Sequence, residues 1–418
     1  SADNITLDNS QNVTVEGNLT VDGTTTLTGT VTGDNQLTTD AQGNLKAGAN
    51  AGDAFTGTDA QNNTLLGYDA GTGITTGDLN VAVGMSANVT GTTGGENTAV
   101  GAAALRYSGA SATHNTAVGR SALHSSVSSG AGQLTGSQNT AIGSNALFAN
   151  TSGQYNTALG YEAGITNTTS SYNTAIGWKA WRVGTGSACT MVGAEAGLSI
   201  TDNSNCTYIG SSAGRYSTGD KNVAIGSEAL EGVSGSTTGY DNVCIGHQAG
   251  TAITTGKENV FIGHIAGDVC EDGDNNTGVG REALTKVTSG DGNTSLGRAA
   301  GEEVSTGSNN LLLGQNAGRN GSPSGAVTTG NHIVCLGNDS ISDLYCADTS
   351  ISNSDKRDKT DIVNFTEGLN WINQLNPVTY RWDRRSWYSP DKSVTPDGSK
   401  KRDKKHIGFL AQDVLTIE

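Results

Sequence analysis

From Asn63 to Gly318 the hydrophobic and polar positions of the chain follow one short cycle, as in Asn115-Thr-Ala-Val-Gly119 and Asn139-Thr-Ala-Ile-Gly143. Its central glycines stand at 67, 84, 101, 119, 143, 160, 177, 193, 210, 226, 246, 263, 280, 297 and 314, which makes fifteen copies, most of them 17 residues apart. With that glycine as position 0, position −1 is Leu, Val or Ile in all fifteen. Position −3 is Thr in ten and Val or Leu in five, and position +3 is Ala from Ala70 to Ala317. Alternation with period two, closed by Gly, predicts a short strand that ends in a tight turn. The glycine permits positive φ or a close backbone approach. Alanine at +3 marks a point too crowded for a larger side chain. Asn fills position −4 in thirteen copies. Amides stacked in this way can hydrogen-bond one another and satisfy turn backbone groups. The remaining eight or so residues of each copy, rich in Gly, Ser and Thr, leave room for one more short strand and a turn.

A fixed period of this size predicts a stacked array in which no unit folds alone. The expected fold class is all-β: a narrow, repetitive β-roll or β-solenoid. At roughly 4.8 Å per coil, fifteen copies would span on the order of 70 Å. The array is expected over residues 61–348. Before it, Asn18-Leu-Thr-Val-Asp-Gly-Thr-Thr-Thr-Leu-Thr-Gly29 predicts a β-stranded stalk over 1–34, similar to the stalks of viral fibres, followed by a linker over 35–60. Longer spacings at His124–Gln138, Leu230–Asp241 and Arg319–Ile333 are expected to form loops on the rim. Such loops either carry binding or reflect length drift in tolerant turns.

Composition narrows the function classes. Gly is 60 of 418 residues, Phe 5, Met 2 and aromatics 5%. A compact core would lack large side chains unless coils stack or several chains share one interior. A net charge of −16 argues against nucleic acid or an anionic membrane as partner through bulk charge. No apolar run approaches eighteen residues, so no membrane insertion is expected. No zinc, nucleotide or phosphate motif and no pair of catalytic carboxylates stands out, so neither cofactor nor metal is expected. The chain begins at Ser1 without Met, which leaves room for an upstream region.

After about Asp348 the composition turns over to Trp, Lys, Arg and Asp. Ser354-Asp-Lys-Arg-Asp-Lys359, Leu375-Asn-Pro-Val-Thr-Tyr-Arg-Trp382 and His406-Ile-Gly-Phe-Leu-Ala-Gln-Asp-Val414 form an ordered series. This segment, 349–418, closely resembles the intramolecular chaperone domain at the end of phage endosialidase tailspikes and other phage fibres. The family pattern Ser-Asp-x-Arg-x-Lys is complete at Ser354, Asp355, Arg357 and Lys359, and Gly-x-x-Ala-Gln at Gly408, Ala411 and Gln412. The resemblance implies a small α+β domain that directs trimerisation and then cuts itself off between Asn353 and Ser354. Ser354 would be the nucleophile and Lys359 the general base. The family's domain continues past Ala-Gln into helical segments, so the domain is expected to be incomplete at Glu418. The plainer reading of 354–359 is an exposed charged turn. The repeat, in turn, resembles the Ser-Val-Ala-Ile-Gly head repeat of trimeric autotransporter adhesins, in which three left-handed β-rolls pack side by side. Their period is shorter than 17.

Three smaller signals remain. Cys189 and Cys206 replace Asn at −4 in consecutive copies and would stand close enough for a disulfide, or remain two buried thiols. Position +1 reads His247, His264, Arg281 and Arg298 in four successive copies: a basic stripe able to meet anionic glycan, or a solvated edge. Tyr161 and Trp178 share that position and offer a sugar platform.

Together these readings predict a homotrimeric phage tail fibre on the virion. It would bind a host surface glycan or receptor and join the tail or baseplate through an upstream region. The expected chemistry is a single self-cleavage without turnover. The alternatives are a bacterial trimeric surface adhesin, an extracellular filament or a glycan-degrading tailspike.

Overall fold

The computed structural model describes residues 39–125, 133–201, 203–343, 374–381, 383, 388, 395–401 and 403–410. It divides into two compact units, 1–343 and 344–418. The first unit is the expected solenoid. Seventeen three-residue strands, from Leu45–Ala47 to Val334–Leu336, form one parallel sheet. Each pairs in register with the next, so Thr157, Ala158 and Leu159 lie beside Thr174, Ala175 and Ile176. The array thus extends one rung beyond the fifteen copies at each end. Asn44-Leu-Lys-Ala-Gly48 is the first rung, so the linker expected over 35–60 is in part solenoid.

The repeat fixes the coil through backbone geometry. The central glycines end each strand at φ near +135°, as at Gly101 (φ 133°). That region belongs to glycine. A Cβ on Gly101 would also lie 2.6 Å from the Gly119 carbonyl oxygen of the next rung. Positions −5, +2 and +4 take left-handed conformations, as at Tyr155 (φ 57°), Glu162 (φ 56°) and Leu147 (φ 48°). The chain turns its corners at these points. Between the corners, backbone bonds run coil to coil even where no second strand forms. Among the described residues the return side forms strands only where Val183–Gly184 pairs Ser199–Ile200, with single parallel bridges at Ser108–Leu134 and Ser217–Thr237. The second strand expected in every copy is therefore mostly a turn.

The expected Asn ladder is present. The backbone N–H and side-chain Nδ2 of Asn156 donate to Asn139 Oδ1 at 3.0 and 3.1 Å, while Nδ2 also donates to the Ser170 carbonyl at 2.8 Å. Asn173 repeats the arrangement on Asn156. These buried amides would each be costly unpaired; the stack pairs them with one another. Cys189 and Cys206 interrupt it as free, buried thiols, so the disulfide weighed above does not form. Parallel in-register rungs hold equivalent Cβ atoms roughly 4.8 Å apart, beyond the usual disulfide separation. The Cys206 N–H instead donates to Cys189 Sγ at 3.5 Å.

The interior is filled from positions −2, +3 and +4, all inaccessible to solvent in most coils. Its volume is balanced within ten of the fifteen coils. Where −2 is large (Leu65, Met191, Tyr208, Phe261 or Leu312), +4 is glycine (Gly71, Gly197, Gly214, Gly267 or Gly318). Where −2 is alanine or glycine (Ala99, Ala117, Ala141, Ala224 or Gly278), +4 is leucine (Leu105, Leu123, Leu147, Leu230 or Leu284). Ala82 with Asn88, Ala175 with Trp181, Cys244 with Gly250 and Ser295 with Gly301 fall outside these two classes, and so does Ala158 with Gly164. The ring of Trp181, from the next coil, fills that space and stands 3.1 Å from a Cβ placed on Gly164.

Candidate functional site

Strand residues alternate faces. With −2 turned inward, −3 and −1 face outward. The aliphatics most regular in the sequence are thus on the surface of this chain. Leu159, Ile142, Ile209 and Leu296 are 43%, 37%, 38% and 53% exposed. Leu336 in the last rung is 40% exposed, and the others at −1 are half-buried by their neighbours above and below. The result is a continuous outward row of Leu, Val and Ile along the sheet, flanked by the row of Thr and Val at −3. Contiguous apolar surface of this kind marks an interaction face. The periodic signal in the sequence identified the strands, but not that this face is the outer one.

Two rims border the face. One is position +1, where all four residues of the expected basic stripe are exposed in consecutive rungs. The rings of His247 and His264 stack at 5.3 Å and 11°. Arg281 Nη2 meets Glu282 at 2.6 Å, and Arg298 follows one rung on. Tyr161 and Trp178 occupy the same rim, with the Lys179 ammonium 4.2 Å from the Trp178 ring centre. Next to them Arg182 bonds Glu162 at 2.8 Å and holds that carboxyl below its ordinary pKa.

The other rim is position −5, just before the Asn ladder. There Tyr155 and Tyr172 stack at 4.9 Å and 7°, both exposed. Sequence reading passed over these two tyrosines. Their signal was available: each lies six residues before an aromatic at +1 in its own copy.

In the second unit, Val378–Tyr380 pairs antiparallel with His406–Gly408. Gly408 lies opposite Val378, and the rings of Tyr380 and His406 stack at 5.5 Å. Arg381 Nε donates to the Asp403 carbonyl at 3.0 Å. Two of the ordered motifs, around Pro377 and around Gly408, are thereby brought into one hairpin-like pair. Asn353, Ser354, Asp355, Arg357, Lys359, Ala411 and Gln412 lie outside the described residues, as do the stalk expected over 1–34 and Cys346.

Residues 354–417 match the family described as the chaperone of endosialidase. The matched segment begins at Ser354, the first residue of the charged motif. No curated protein matches the chain. A parallel β-solenoid followed by that chaperone segment fits a phage tail fibre or tailspike type of protein.

Proposed function

We propose that the chain is a structural and adhesive fibre of a phage tail, assembled as a homotrimer and matured by one cut between Asn353 and Ser354. The observation that carries this reading is the chaperone-of-endosialidase match at 354–417 directly behind a solenoid whose sheet face is apolar and uncovered. Seventeen nearly identical rungs can stack against another chain in shifted registers at little difference in energy. A terminal domain that fixes stoichiometry and register removes those wrong assemblies. Cutting it away afterwards leaves a fibre whose persistence is kinetic.

In the cleavage, Ser354 Oγ attacks the Asn353 carbonyl carbon while Lys359 takes the hydroxyl proton. Lys359 returns that proton to the departing Ser354 nitrogen as the amide between 353 and 354 breaks and an ester to Ser354 Oγ forms. Water then hydrolyses the ester to leave the Asn353 carboxylate and a free Ser354. Lysine serves as base only when neutral. Lys356 and Arg357 favour that state; Asp355 and Asp358 oppose it. Host contact is assigned to the rim loops at the three long spacings, with a surface glycan as receptor.

The intact denatured mass of the full chain, beside Ser354→Ala, tests the cleavage. Loss of everything from Ser354 onward in the parent alone is expected. An uncut parent would reduce the domain to a trimerising cap. Sedimentation of the parent tests the trimer.

A further inference from the structure

At six levels the two rims that border the apolar face carry like or complementary residues, while other levels pair unlike ones, as Asn62 with Tyr68 and Gly292 with Arg298. In the rung of Gly84 they carry Leu79 and Met85, which are 54% and 58% exposed. In the next two matched rungs they carry Tyr155 with Tyr161, then Tyr172 with Trp178. The following rung has Ala188 with Ala194, both exposed. Further along, Asp241 stands level with His247, and Glu258 with His264. Apolar thus shares a level with apolar, aromatic with aromatic, small with small, and acid with base. Within one chain the members of a pair sit at opposite ends of a strand, on the order of 15–20 Å apart along the extended backbone. No hydrogen bond or ion pair joins them among the described residues.

The matching acquires a physical reason if the partner of each residue is on another copy. In a closed ring of parallel chains every interface is heterologous: one edge of each subunit meets the opposite edge of the next. We infer that neighbouring chains meet along these rims with no axial offset, the −5 rim of one against the +1 rim of the next. This rests on the homo-oligomer proposed above and names its seam. It also assigns the basic stripe and the Tyr161–Trp178 pair to contacts between chains instead of glycan. Lys221 and Lys257 stand among the acids of the −5 side and Glu282 beside Arg281, so the seam is mixed in charge around its matched levels. His114 and Arg120 share a level with like sign, but His114 is held by Glu96 at 2.9 Å.

The seam supplies register that the apolar face lacks. Threonine and aliphatic repeat at nearly every rung, so the face alone tolerates a slip. A slip of one rung would set Leu79 against Tyr68 or Ala102, and Ala188 against Trp178 or Ser211.

The test uses the full chain carrying Leu79→Cys and Met85→Cys, treated with a short bismaleimide after sedimentation has fixed its stoichiometry. The native cysteines of the solenoid are buried and remain unlabelled. Covalent trimers on a denaturing gel are expected from the double variant. Neither single variant should give more than trace dimer, and Leu79→Cys with Ala102→Cys, one rung out of step, should give none. A trimer that fails to link in the double variant overturns the seam while leaving the trimer standing. Dimers from a single variant would show like rims meeting and overturn it too. A monomeric parent removes both the seam and the assembly on which it rests.

Discussion

Tyr208 and Gly214 occupy one volume between them: a Cβ on Gly214 would lie 2.5 Å from Cδ1 and Cγ of the Tyr208 ring. The same holds for Phe261 and Gly267, again at 2.5 Å. Tyr208 is fully buried, and its hydroxyl donates to Ser217 Oγ at 3.1 Å. Gly214→Ala overfills this coil and is expected to cost about 1–3 kcal/mol. Tyr208→Ala empties it, at about 3–5 kcal/mol. Tyr208→Ala combined with Gly214→Leu recreates the pairing of Ala224 with Leu230 and is expected to recover at least half the loss. A thermal midpoint for the double variant no higher than that for Tyr208→Ala would contradict the exchange of volume.

The central glycines are more demanding. Gly101→Ala places a Cβ 2.6 Å from the Gly119 carbonyl oxygen and forces alanine to φ 133°. Strain at such φ is of order 1–3 kcal/mol before the clash is counted. Hydrogen exchange should accelerate in the rungs on either side of Gly101 while distant rungs stay protected. Uniform protection throughout would show that the contact is not a constraint.

Cys189→Asn with Cys206→Asn should restore an unbroken amide stack between Asn173 and Asn222. The Cys189 N–H already donates to Asn173 Oδ1 at 3.0 Å, so the geometry for an amide is in place. Each restored buried bond contributes roughly 1 kcal/mol. A rise in the thermal midpoint of the double variant is expected; a fall would mean that the sulfur atoms pack better than an amide can.

His124 gives the solenoid a local sensitivity to acid. Its ring lies between Tyr107 and Phe148, at 4.9 and 4.8 Å, and Nδ1–H donates to the Ser125 carbonyl. Burial lowers its pKa below 6.5, with the nearby Arg106 cation acting in the same direction. With the folded pKa below the unfolded one, this group costs nothing above about pH 6.5, where it is neutral in both states. Stability then declines as pH falls from the unfolded pKa toward the folded one, because the unfolded chain binds the proton first. His124→Phe should remove that part of the decline in midpoint-against-pH curves. Parallel curves for parent and variant would place the acid sensitivity elsewhere.

The coil was legible because its constraints are backbone constraints repeated many times over. Asn at −4, Gly at 0 and Ala at +3 each answer one local demand, and the structure shows a ladder, a glycine-only corner and a crowded interior at those points. The direction of the strand faces was less legible. Ala158 is buried and Leu159 exposed, the reverse of what size alone suggests, because position −2 turns inward in every copy and position −1 outward whatever the side chain. The residues at −2 and +4 vary singly and look unpatterned; in ten coils they trade volume with each other, and such exchanges do not show in a residue-by-residue scan. The chaperone segment was legible for a different reason, since its signal is an ordered set of motifs at Ser354, Pro377 and Gly408 and not a periodicity.

Because ten of the fifteen coils settle their own interior volume, the coil is a unit of length as well as of structure. Adding one whole copy, or deleting one, leaves each remaining interior filled and each backbone rung with a partner of the same shape. Ala158, Gly164 and Trp181 are one place where this fails, since there one coil lends its ring to its neighbour. Among the volume-balanced coils the solenoid can be lengthened or shortened in steps of roughly 4.8 Å without redesigning its interior. Solenoid length is thereby a property that selection can alter by duplication alone.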